Sequence, residues 1–366
     1  YLFPFLMKVA VIGTQGVPAS YGGFESLVEN LLGAYCPEDV EYTVFCSKKD
    51  MDYSLSEYKG ACLRYVPLHA NGAQSMPYDV LSLCKAVRGY DVVLILGVSG
   101  CLFLPIFARI TRSRIVVNID GLEHRRDKWS RFAKWILRRS EAMAVRYADA
   151  VVADNKGIQD YVSATYGCPS ELIAYGGDHV RKKLSDEFCR STLQSYGVEG
   201  GKYAITVCRI EPENNSHHIL EAFSHTDHLL IFIGNWNHSD WSRQLKTRYK
   251  DSRNIRLVDA VYDLDILYAL RSNAGLYVHG HSAGGTNPSL VEAMFFGMPI
   301  LAFDCVYNRE TTFGRACYFK DEKELRALLD RDDLDGAEMR ELAKSSYTWS
   351  RISGQYVDLY RRLLAK

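Results

Sequence analysis

Short apolar runs rich in β-branched residues alternate along the chain with longer segments whose apolar residues recur at helical spacing. Runs this apolar predict strands that are buried on both faces, as strands of a parallel sheet are. In the first half of the chain they lie at residues 8–13, 42–46, 91–97, 113–120 and 149–154, and helical spacing is found at 24–34 and 129–147. Strands that alternate with helices predict a parallel, doubly wound α/β fold.

A polar, charged segment over residues 178–201 interrupts this alternation. The pattern then resumes, with further strands predicted at residues 202–208, 229–234, 255–259, 275–280 and 298–304. We therefore predict two Rossmann-like domains, residues 1–182 and 183–348, with ligands bound in a cleft at the carboxyl ends of their strands. A last helix is predicted within residues 349–366, and its return to the first domain is left open.

The chain has 366 residues, with 44 Lys and Arg against 44 Asp and Glu, so its formal net charge is zero. A neutral protein has no global field that attracts nucleic acid, and no nucleic-acid partner is predicted. The 10 cysteines are scattered and form no Cys-x-x-Cys pair, which argues against a zinc site or a disulfide framework. This usage favours a reducing compartment, so we expect a cytoplasmic protein.

Residues 92–108 are uncharged over almost the length of a membrane span. Gly97, Gly100 and Pro105 interrupt this run, which favours a buried strand, a turn and a helix over a span in lipid. The apolar residues 1–6 lack the basic region and the length of a signal peptide, and we expect Met7 to be the native start.

A glycine-rich loop follows the first predicted strand, with glycines at positions 13, 16, 22 and 23. Glycines let the backbone approach a ligand closely, and Gly22 and Gly23 open a helix whose free N–H groups favour an anion. The spacing is not Gly-x-Gly-x-x-Gly, which argues against a nicotinamide dehydrogenase. The alternative is an ordinary turn between a strand and a helix.

A second glycine turn lies in the segment HGHSAGGTNPSLVEAM, residues 279–294. Asn287 suits the N-cap of a helix and Pro288 its first position. The amides around Gly284, Gly285 and Thr286 would then face the site and could hold a diphosphate. Glu292, about one turn into the helix, could accept the ribose hydroxyls, or it could merely favour the helix dipole.

Two further strand ends carry candidate chemistry. Arg209 is a forked cation suited to a leaving diphosphate, although a lone arginine there is often part of a structural ion pair. Asp120 and Glu123 could bind acceptor hydroxyls or act as a base, and capping of the next helix is an equal alternative. Asp263 and Asp265 resemble a metal-binding Asp-x-Asp only superficially, and we predict a helix cap and no metal site.

The helix predicted at residues 129–147 is basic and carries interleaved aromatic residues. Such a helix is typical of a peripheral protein at an anionic membrane surface. The alternative is a solvated face over an ordinary core stripe. The residues predicted to meet the membrane are Arg131, Lys134, Trp135, Arg138 and Arg139.

The segments GTQGVPASYGGFE, DGLEHRRDKW, RIEPENN and HGHSAGGTNPSLVEAM together resemble retaining GT-B glycosyltransferases of the large family 4 class. The resemblance is closest to the bacterial rhamnosyltransferases of capsule and cell-wall polysaccharide synthesis. Two positions depart from the wider class, because Gly284 replaces the earlier of two glutamates and Asn214 replaces a lysine. The rhamnosyltransferase branch shares both differences.

The resemblance implies a GT-B fold, a dTDP-β-L-rhamnose donor and an acceptor sugar on a polyprenyl diphosphate. It implies no metal and no cofactor, since the nucleotide-diphosphate sugar is a substrate. The predicted catalytic residues are Arg209, Glu292, Asp120 and Glu123. The predicted donor-binding residues are Gly16, Gly22, Gly23, Asn214, Gly284, Gly285, Thr286 and Asn287. The alternatives are a nucleotide-sugar epimerase of similar fold, a transferase with a soluble acceptor, and a non-catalytic nucleotide-sugar sensor.

Overall fold

A computed structural model of the protein describes residues 6–19, 22–33, 36–119, 121–125 and 129–366. The chain forms two compact units, of which the first runs to Tyr175 and also contains Trp349–Lys366, and the second is Gly176–Thr348. Each unit is built on its own sheet, parallel except at one edge of the first, so the predicted α/β class with two doubly wound sheets is confirmed. The domain limits given above remain predictions, since compactness alone does not show which segments fold independently.

The described residues of the first unit contain a sheet of eight strands in the order β3-β4-β2-β1-β5-β6-β7-β8. All neighbours pair in parallel except β3 and β4. Its strands are β1 (Met7–Ile12), β2 (Val40–Ser47), β3 (Glu57–Tyr58), β4 (Ala61–Val66), β5 (Val92–Leu96), β6 (Arg114–Asn118), β7 (Ala150–Ala153) and β8 (Glu171–Leu172). Its helices are α1 (Gly23–Leu31), α2 (Ser75–Lys85), α3 (Leu104–Ile110), α4 (Arg131–Tyr147), α5 (Lys156–Tyr166) and α14 (Trp349–Leu364).

The second unit contains a parallel sheet of six strands in the order β11-β10-β9-β12-β13-β14. Its strands are β9 (Tyr203–Val207), β10 (Leu229–Ile233), β11 (Ile255–Val258), β12 (Leu276–His279), β13 (Ile300–Phe303) and β14 (Cys317–Phe319). Its helices are α6 (Asp186–Ser195), α7 (Ser216–Ser224), α8 (Asp240–Tyr249), α9 (Leu264–Ser272), α10 (Pro288–Met294), α11 (Val306–Thr311), α12 (Glu322–Leu329) and α13 (Ala337–Ser346).

The central strands of both sheets are mostly apolar because helices cover both of their faces. In β1, Val9, Val11 and Ile12 are fully buried. On one face of this sheet, α1 packs beside α14, and Leu27 and Tyr356 join the same core cluster as β1. The uncharged run at 92–108 forms β5, a short 3-10 turn and α3, as predicted. Within the described part of the chain, no helix is both long enough and apolar enough to cross a bilayer.

Chain order reverses at one point in each sheet, between β1 and β5 in the first unit and between β9 and β12 in the second. Loops that leave neighbouring strands in opposite directions open a crevice, and open α/β sheets bind their ligands there. Ligand binding is therefore favoured for the sequence motifs that follow β1, β5, β9 or β12.

Candidate functional site

The loops that follow β9 and β12 are bonded to each other at the reversal point of the second sheet. The Nδ2 of Asn214 donates to the backbone oxygen of Arg209 at 2.8 Å, and His281 Nδ1 lies 2.7 Å from Asn214 Oδ1. The backbone nitrogen and the hydroxyl of Ser282 both donate to the backbone oxygen of Glu213 at 2.9 Å. The structure thus brings the loop of Arg209 and Asn214 next to the glycine turn that leads into α10.

Arg209 lies just beyond β9, and its side chain is 39% exposed. Its Nη1 is 3.6 Å from Glu211 Oε1, so the structural ion pair considered from the sequence is present but long. Such a pair between partly exposed groups contributes little to stability. The guanidinium is therefore placed at the surface of the reversal point, where an anionic ligand could contact it.

The helix α10 begins as the sequence predicts. Asn287 is the N-cap, its side chain accepts a hydrogen bond from the backbone of Ser289 at 2.9 Å, and Pro288 occupies the first turn. Before the cap, Gly284 has a positive φ of 95°, a conformation that glycine adopts without strain. Gly285 and Thr286 follow this turn and precede the N-cap.

Glu292 on α10 is the best-defined charged group of this region. Its Oε2 lies 2.5 Å from Arg271 Nη1, its Oε1 lies 3.4 Å from His179 Nε2, and its side chain is only 15% exposed. Burial by itself would raise the pKa of Glu292, but Arg271, followed by His179, outweighs burial and lowers the pKa to about 2. The carboxylate is therefore ionised throughout the physiological range.

Sequence reasoning missed both partners of Glu292. Arg271 lies on α9 and is 2% exposed, and a buried arginine is almost always paired. The available signal was its position directly after Ala269 and Leu270, on the buried side of an amphipathic helix. Nothing in the sequence told which carboxylate would meet it.

His179 reaches Glu292 because a glycine lets its segment lie against α10. A Cβ added to Gly177 would stand 2.9 Å from Val291 Cγ1 and 3.1 Å from the backbone nitrogen of Glu292. Real side chains essentially never tolerate the first of these distances. The segment around Gly177 therefore places the His179 imidazole beside the carboxylate.

Beneath the glycine turn, His279 ends β12 and is 1% exposed. Its ring stacks on Tyr277 with centroids 5.9 Å apart, and burial lowers the pKa of His279 to about 3. Its Nε2 has no hydrogen-bond partner among the described residues. This imidazole is therefore a neutral, rigidly packed support for the loop that follows.

In the first unit, the glycine loop after β1 is held by packing within that unit. A Cβ at Gly13 would fall 2.0 Å from the backbone oxygen of Leu96, and one at Gly16 would fall 2.7 Å from Cys46 Sγ. Glu25 Oε1 accepts hydrogen bonds from Thr14 Oγ1 at 3.0 Å and from the backbone of Gln15 at 2.8 Å. These contacts explain Gly13 and Gly16 without a ligand, and the predicted contact of Gly16 with the donor remains a prediction.

The same loop ends at the start of α1. Gly22 is the N-cap with a φ of 128°, and Gly23 is the first residue of the helix. Glycine fits this backbone conformation, which side chains rarely adopt. The predicted contact of Gly22 and Gly23 with the donor also remains a prediction.

The two acidic candidates of the first unit are Asp120 and Glu123. Asp120 lies outside the described residues. Glu123 Oε2 accepts a hydrogen bond from the indole nitrogen of Trp129 at 3.1 Å. His124, the next residue, lies 3.0 Å from Glu141 of α4, whose carboxylate also accepts hydrogen bonds from two tyrosines. Burial would raise the pKa of Glu141, but these hydrogen bonds hold it below its usual value.

The N-terminal half of α4 carries its aromatic side chains into solvent. Phe132 and Trp135 are 69% and 56% exposed, and their rings are stacked with centroids 6.2 Å apart. Arg139 lies over the Trp135 ring at 5.6 Å. Of the other basic residues predicted here, Arg131 and Arg138 are exposed and Lys134 is partly buried.

Asp263 caps α9, as predicted, because its Oδ1 accepts hydrogen bonds from the backbone of Asp265 at 2.8 Å and of Ile266 at 3.2 Å. Asp265 itself pairs with Lys182 at 2.5 Å. Within the part of the chain that the structure describes, no group of three or more His, Cys, Asp or Glu is arranged to hold a metal ion.

Two family models match the chain in succession. The first, a domain of unknown function (DUF1972), matches residues 6–178, and the second, glycosyl transferases group 1, matches residues 192–324. No curated protein sequence matches the chain.

Several solved structures match the chain over nearly their whole length at low sequence identity. Sucrose-phosphate synthase from Thermosynechococcus elongatus is 17% identical with a TM-score of 0.81, covering 98% of this chain and 99% of its own. Anabaena HepE in complex with UDP and glucose is 16% identical with a TM-score of 0.72, covering 97% and 100%. Starch synthase IV from Arabidopsis thaliana, bound to ADP and acarbose, is 13% identical with a TM-score of 0.72, covering 99% and 100%.

The fold of these structures and the glycosyl transferases group 1 match together define the protein as a glycosyltransferase with the GT-B fold.

Proposed function

We propose that the protein is a retaining glycosyltransferase that moves L-rhamnose from dTDP-β-L-rhamnose to a lipid-linked sugar acceptor in capsular or cell-wall polysaccharide synthesis. The observation that carries the donor class is the cluster of Glu292 with Arg271 and His179, next to loops of the second unit that are bonded to each other. Neighbouring folds solved with UDP and glucose, or with ADP, support a nucleotide-diphosphate sugar. The rhamnose donor and the lipid-linked acceptor rest on the resemblance of the sequence motifs.

In this proposal the second unit holds the donor. Glu292 is kept ionised and accepts the two ribose hydroxyls, because a carboxylate has acceptor capacity beyond its contacts with Arg271 and His179. Arg209 and the amides at residues 285–287 hold the diphosphate. Asn214 holds the Arg209 loop in place, since its amide bonds to Arg209 and His281.

In the transfer, the bond between sugar C1 and the diphosphate oxygen breaks, and its electron pair leaves with the diphosphate. The acceptor oxygen bonds to C1 on the same face, and the acceptor proton passes to the departing phosphate. Negative charge grows on the diphosphate, so Arg209 should stabilise the transition state more than the bound donor. Asp120, Glu123 and the glycine loop of the first unit are proposed for the sugar and acceptor side. No metal or cofactor is required.

Ligand-induced stabilisation tests the donor class. A ligand that binds only the folded protein stabilises it by RT ln(1 + [L]/Kd), so we expect larger melting shifts with dTDP and dTDP-rhamnose than with NAD or ATP. UDP-glucose and ADP in the same series report the preferred base and sugar. Equal shifts with all of these ligands, or a preference for NAD, would rule the proposal out.

Substitution of the two charged residues tests their roles. Arg209→Ala and Glu292→Gln should each lower transfer from labelled donor about a hundredfold, as expected for the loss of a charge-assisted contact in the transition state. Arg243→Ala is the matched control, because it removes an exposed arginine of the same unit that pairs with Asp240. Normal turnover in either site variant would remove that residue from the site. No product from the parent protein with any acceptor would favour a nucleotide-sugar sensor.

We also propose that α4 docks the protein on the anionic inner face of the cell membrane, where a lipid-linked acceptor would lie. Support comes from the exposure of Phe132 and Trp135 together with the exposed Arg131, Arg138 and Arg139 on one helix. Aromatic rings favour the membrane interface, and each basic residue near an anionic surface contributes about 1 kcal/mol.

Vesicle sedimentation tests this docking. The protein should bind anionic vesicles, and binding should weaken with salt because salt screens exposed charges. Replacing Arg131, Lys134, Arg138 and Arg139 with Glu should abolish binding and slow transfer to a lipid-linked acceptor. Transfer to a short soluble acceptor should change much less. If the quadruple variant sediments like the parent, α4 is only a solvated face.

A further inference from the structure

A second exposed apolar stripe lies on α3, the helix that precedes α4 in the same unit. Leu102, Ile106 and Ile110 are 39%, 54% and 53% exposed. Their spacing of four residues places them in one row along the outer side of the 3-10 turn and helix. Exposed apolar side chains are common singly, but a row of three is an unpartnered face.

The topology of the first sheet puts α3 and α4 on the same side. α3 connects β5 to β6, α4 connects β6 to β7, and these strands are neighbours in that order. Both connections step in the same direction, and right-handed crossovers then place both helices on one face of the sheet. The helices pack against each other, and the backbone nitrogen of Leu102 donates to Ser140 Oγ at 3.1 Å. Their solvent-facing sides are therefore adjacent.

The charge around the stripe has one sign. Arg109 and Arg112 flank Ile110 and are exposed, as are Arg131, Arg138 and Arg139 on α4. None of these five forms an ion pair with an acidic residue in the described part of the chain. The only acidic residue on either helix is Glu141, which is 1% exposed. This contrasts with the chain as a whole, where basic and acidic residues balance at 44 each.

We propose that α3 and α4 form one docking face for an anionic lipid bilayer, in which the aliphatic row of α3 enters the interface beside the aromatic pair of α4. Charge complementarity selects this occupant, because a face with exposed apolar rows and only basic exposed charges fits an anionic surface over an apolar layer. The inference rests on the proposed docking of α4 and adds a second helix to it. Two adjacent helices would fix the orientation of the first unit on the membrane, whereas one helix alone would let the unit rotate about the helix axis.

The decisive variant is Ile106→Gln with Ile110→Gln in the full-length protein. It changes no charge, and both side chains are exposed, so the melting temperature should stay that of the parent. Partition onto vesicles of phosphatidylcholine with phosphatidylglycerol should fall about tenfold or more, because two aliphatic side chains that would enter the membrane interface are lost. The matched control, Leu55→Gln with Val306→Gln, removes aliphatic side chains that are 37% and 49% exposed outside this face, and it should bind like the parent.

Salt separates the contributions of the two helices. High salt screens the charges but not the apolar contact, so binding that survives high salt should disappear in the Ile106→Gln, Ile110→Gln variant. The quadruple Glu variant of α4 should instead lose the salt-sensitive part.

Three outcomes overturn the inference. If the double variant partitions like the parent while the quadruple variant does not bind, α4 docks alone and the role of α3 is wrong. If the parent does not bind anionic vesicles at all, the proposed docking of α4 fails with it. If the parent sediments in solution as a dimer and only the double variant is a monomer, with vesicle binding unchanged, the stripe is covered by a second copy of the chain.

Discussion

Glu292 in the second unit and Asp79 in the first unit each lie near the reversal point of their sheet, and their surroundings act on the two carboxyl groups in opposite ways. Glu292 in the second unit meets Arg271 at 2.5 Å and is held ionised, with its pKa lowered to about 2. Asp79 on α2 in the first unit is 5% exposed, and burial raises its pKa to about 8, opposed only by a hydrogen bond from the backbone of Gly100. The first is a buried charge with a cation, and the second is a buried neutral acid.

The two carboxyl groups are held in position by different kinds of contact. Asp79 fits because Gly100, in the loop after β5, has no side chain, and a Cβ there would lie 2.4 Å from the Asp79 Cβ. Packing thus decides its position. Glu292 is instead surrounded by side chains that favour its charge, as in a site prepared to accept hydrogen bonds from a ligand. The comparison favours the second unit as the unit that binds the charged donor.

The largest effect is expected from removing the cation beside Glu292. Arg271→Met should lower the free energy of unfolding of the second unit by about 3 kcal/mol at pH 7, because a buried carboxylate is left without its partner. Denaturant unfolding measures this change. Replacing both partners, Arg271→Met with Glu292→Gln, should restore much of the loss. A loss below about 1 kcal/mol in the single variant would mean that water already solvates Glu292, and the comparison would fail.

A smaller effect is expected at Asp79, where the folded protein favours the neutral carboxyl group instead of the ionised one. Its folded pKa lies above its unfolded value, so the folded state keeps a proton that the unfolded state releases, and stability falls as pH rises between about 4 and 8. Between pH 6 and pH 8 the loss should approach about 2 kcal/mol. Asp79→Asn should remove this pH dependence, which denaturant unfolding at several pH values measures.

The control for this experiment is Asp160→Asn, which changes a carboxylate of the same unit whose side chain is 64% exposed. It should leave the slope between pH 6 and pH 8 as in the parent. An unchanged slope in Asp79→Asn would show that Asp79 is ionised in the folded protein.

The sequence predicted the elements whose patterns are local. Asn287 and Pro288 predicted the start of α10, and continuous apolar runs predicted the central strands of both sheets. The strand β4 was missed because Arg64 and Tyr65 break its apolar run, and at three residues β14 is too short for a pattern to show.

What the sequence did not predict depends on contacts between distant segments. Glu292 meets Arg271 and His179 only through the packing of α9 and the Gly177 segment on α10. The glycines at 13 and 16 suggested a ligand. The structure instead packs them against Leu96 and Cys46, which belong to other strands and are distant in the sequence. For Asp79 a signal was present, since it shares the buried side of α2 with Tyr78, Ser82 and Leu83.

The smallest effect is expected in the loop after β9, which we compare with the loop after β1. The loop after β9 is held by the side chain of Asn214, which is 2% exposed and bonds to Arg209 and His281. The loop after β1 combines close packing at Gly13 and Gly16 with hydrogen bonds to Glu25. Asn214→Ala should lower the free energy of unfolding by about 1–2 kcal/mol, because buried partners lose their hydrogen bonds. If the loop positions Arg209, the variant should also bind dTDP several-fold more weakly.

Asn254→Ala is the matched control, since the Asn254 amide bonds to three backbone oxygens elsewhere in the second unit. It should cost similar stability and leave dTDP binding, measured by calorimetry, unchanged. Equal weakening in both variants would show that the loss follows general destabilisation, and Asn214 would then have no specific part in holding Arg209 for the donor.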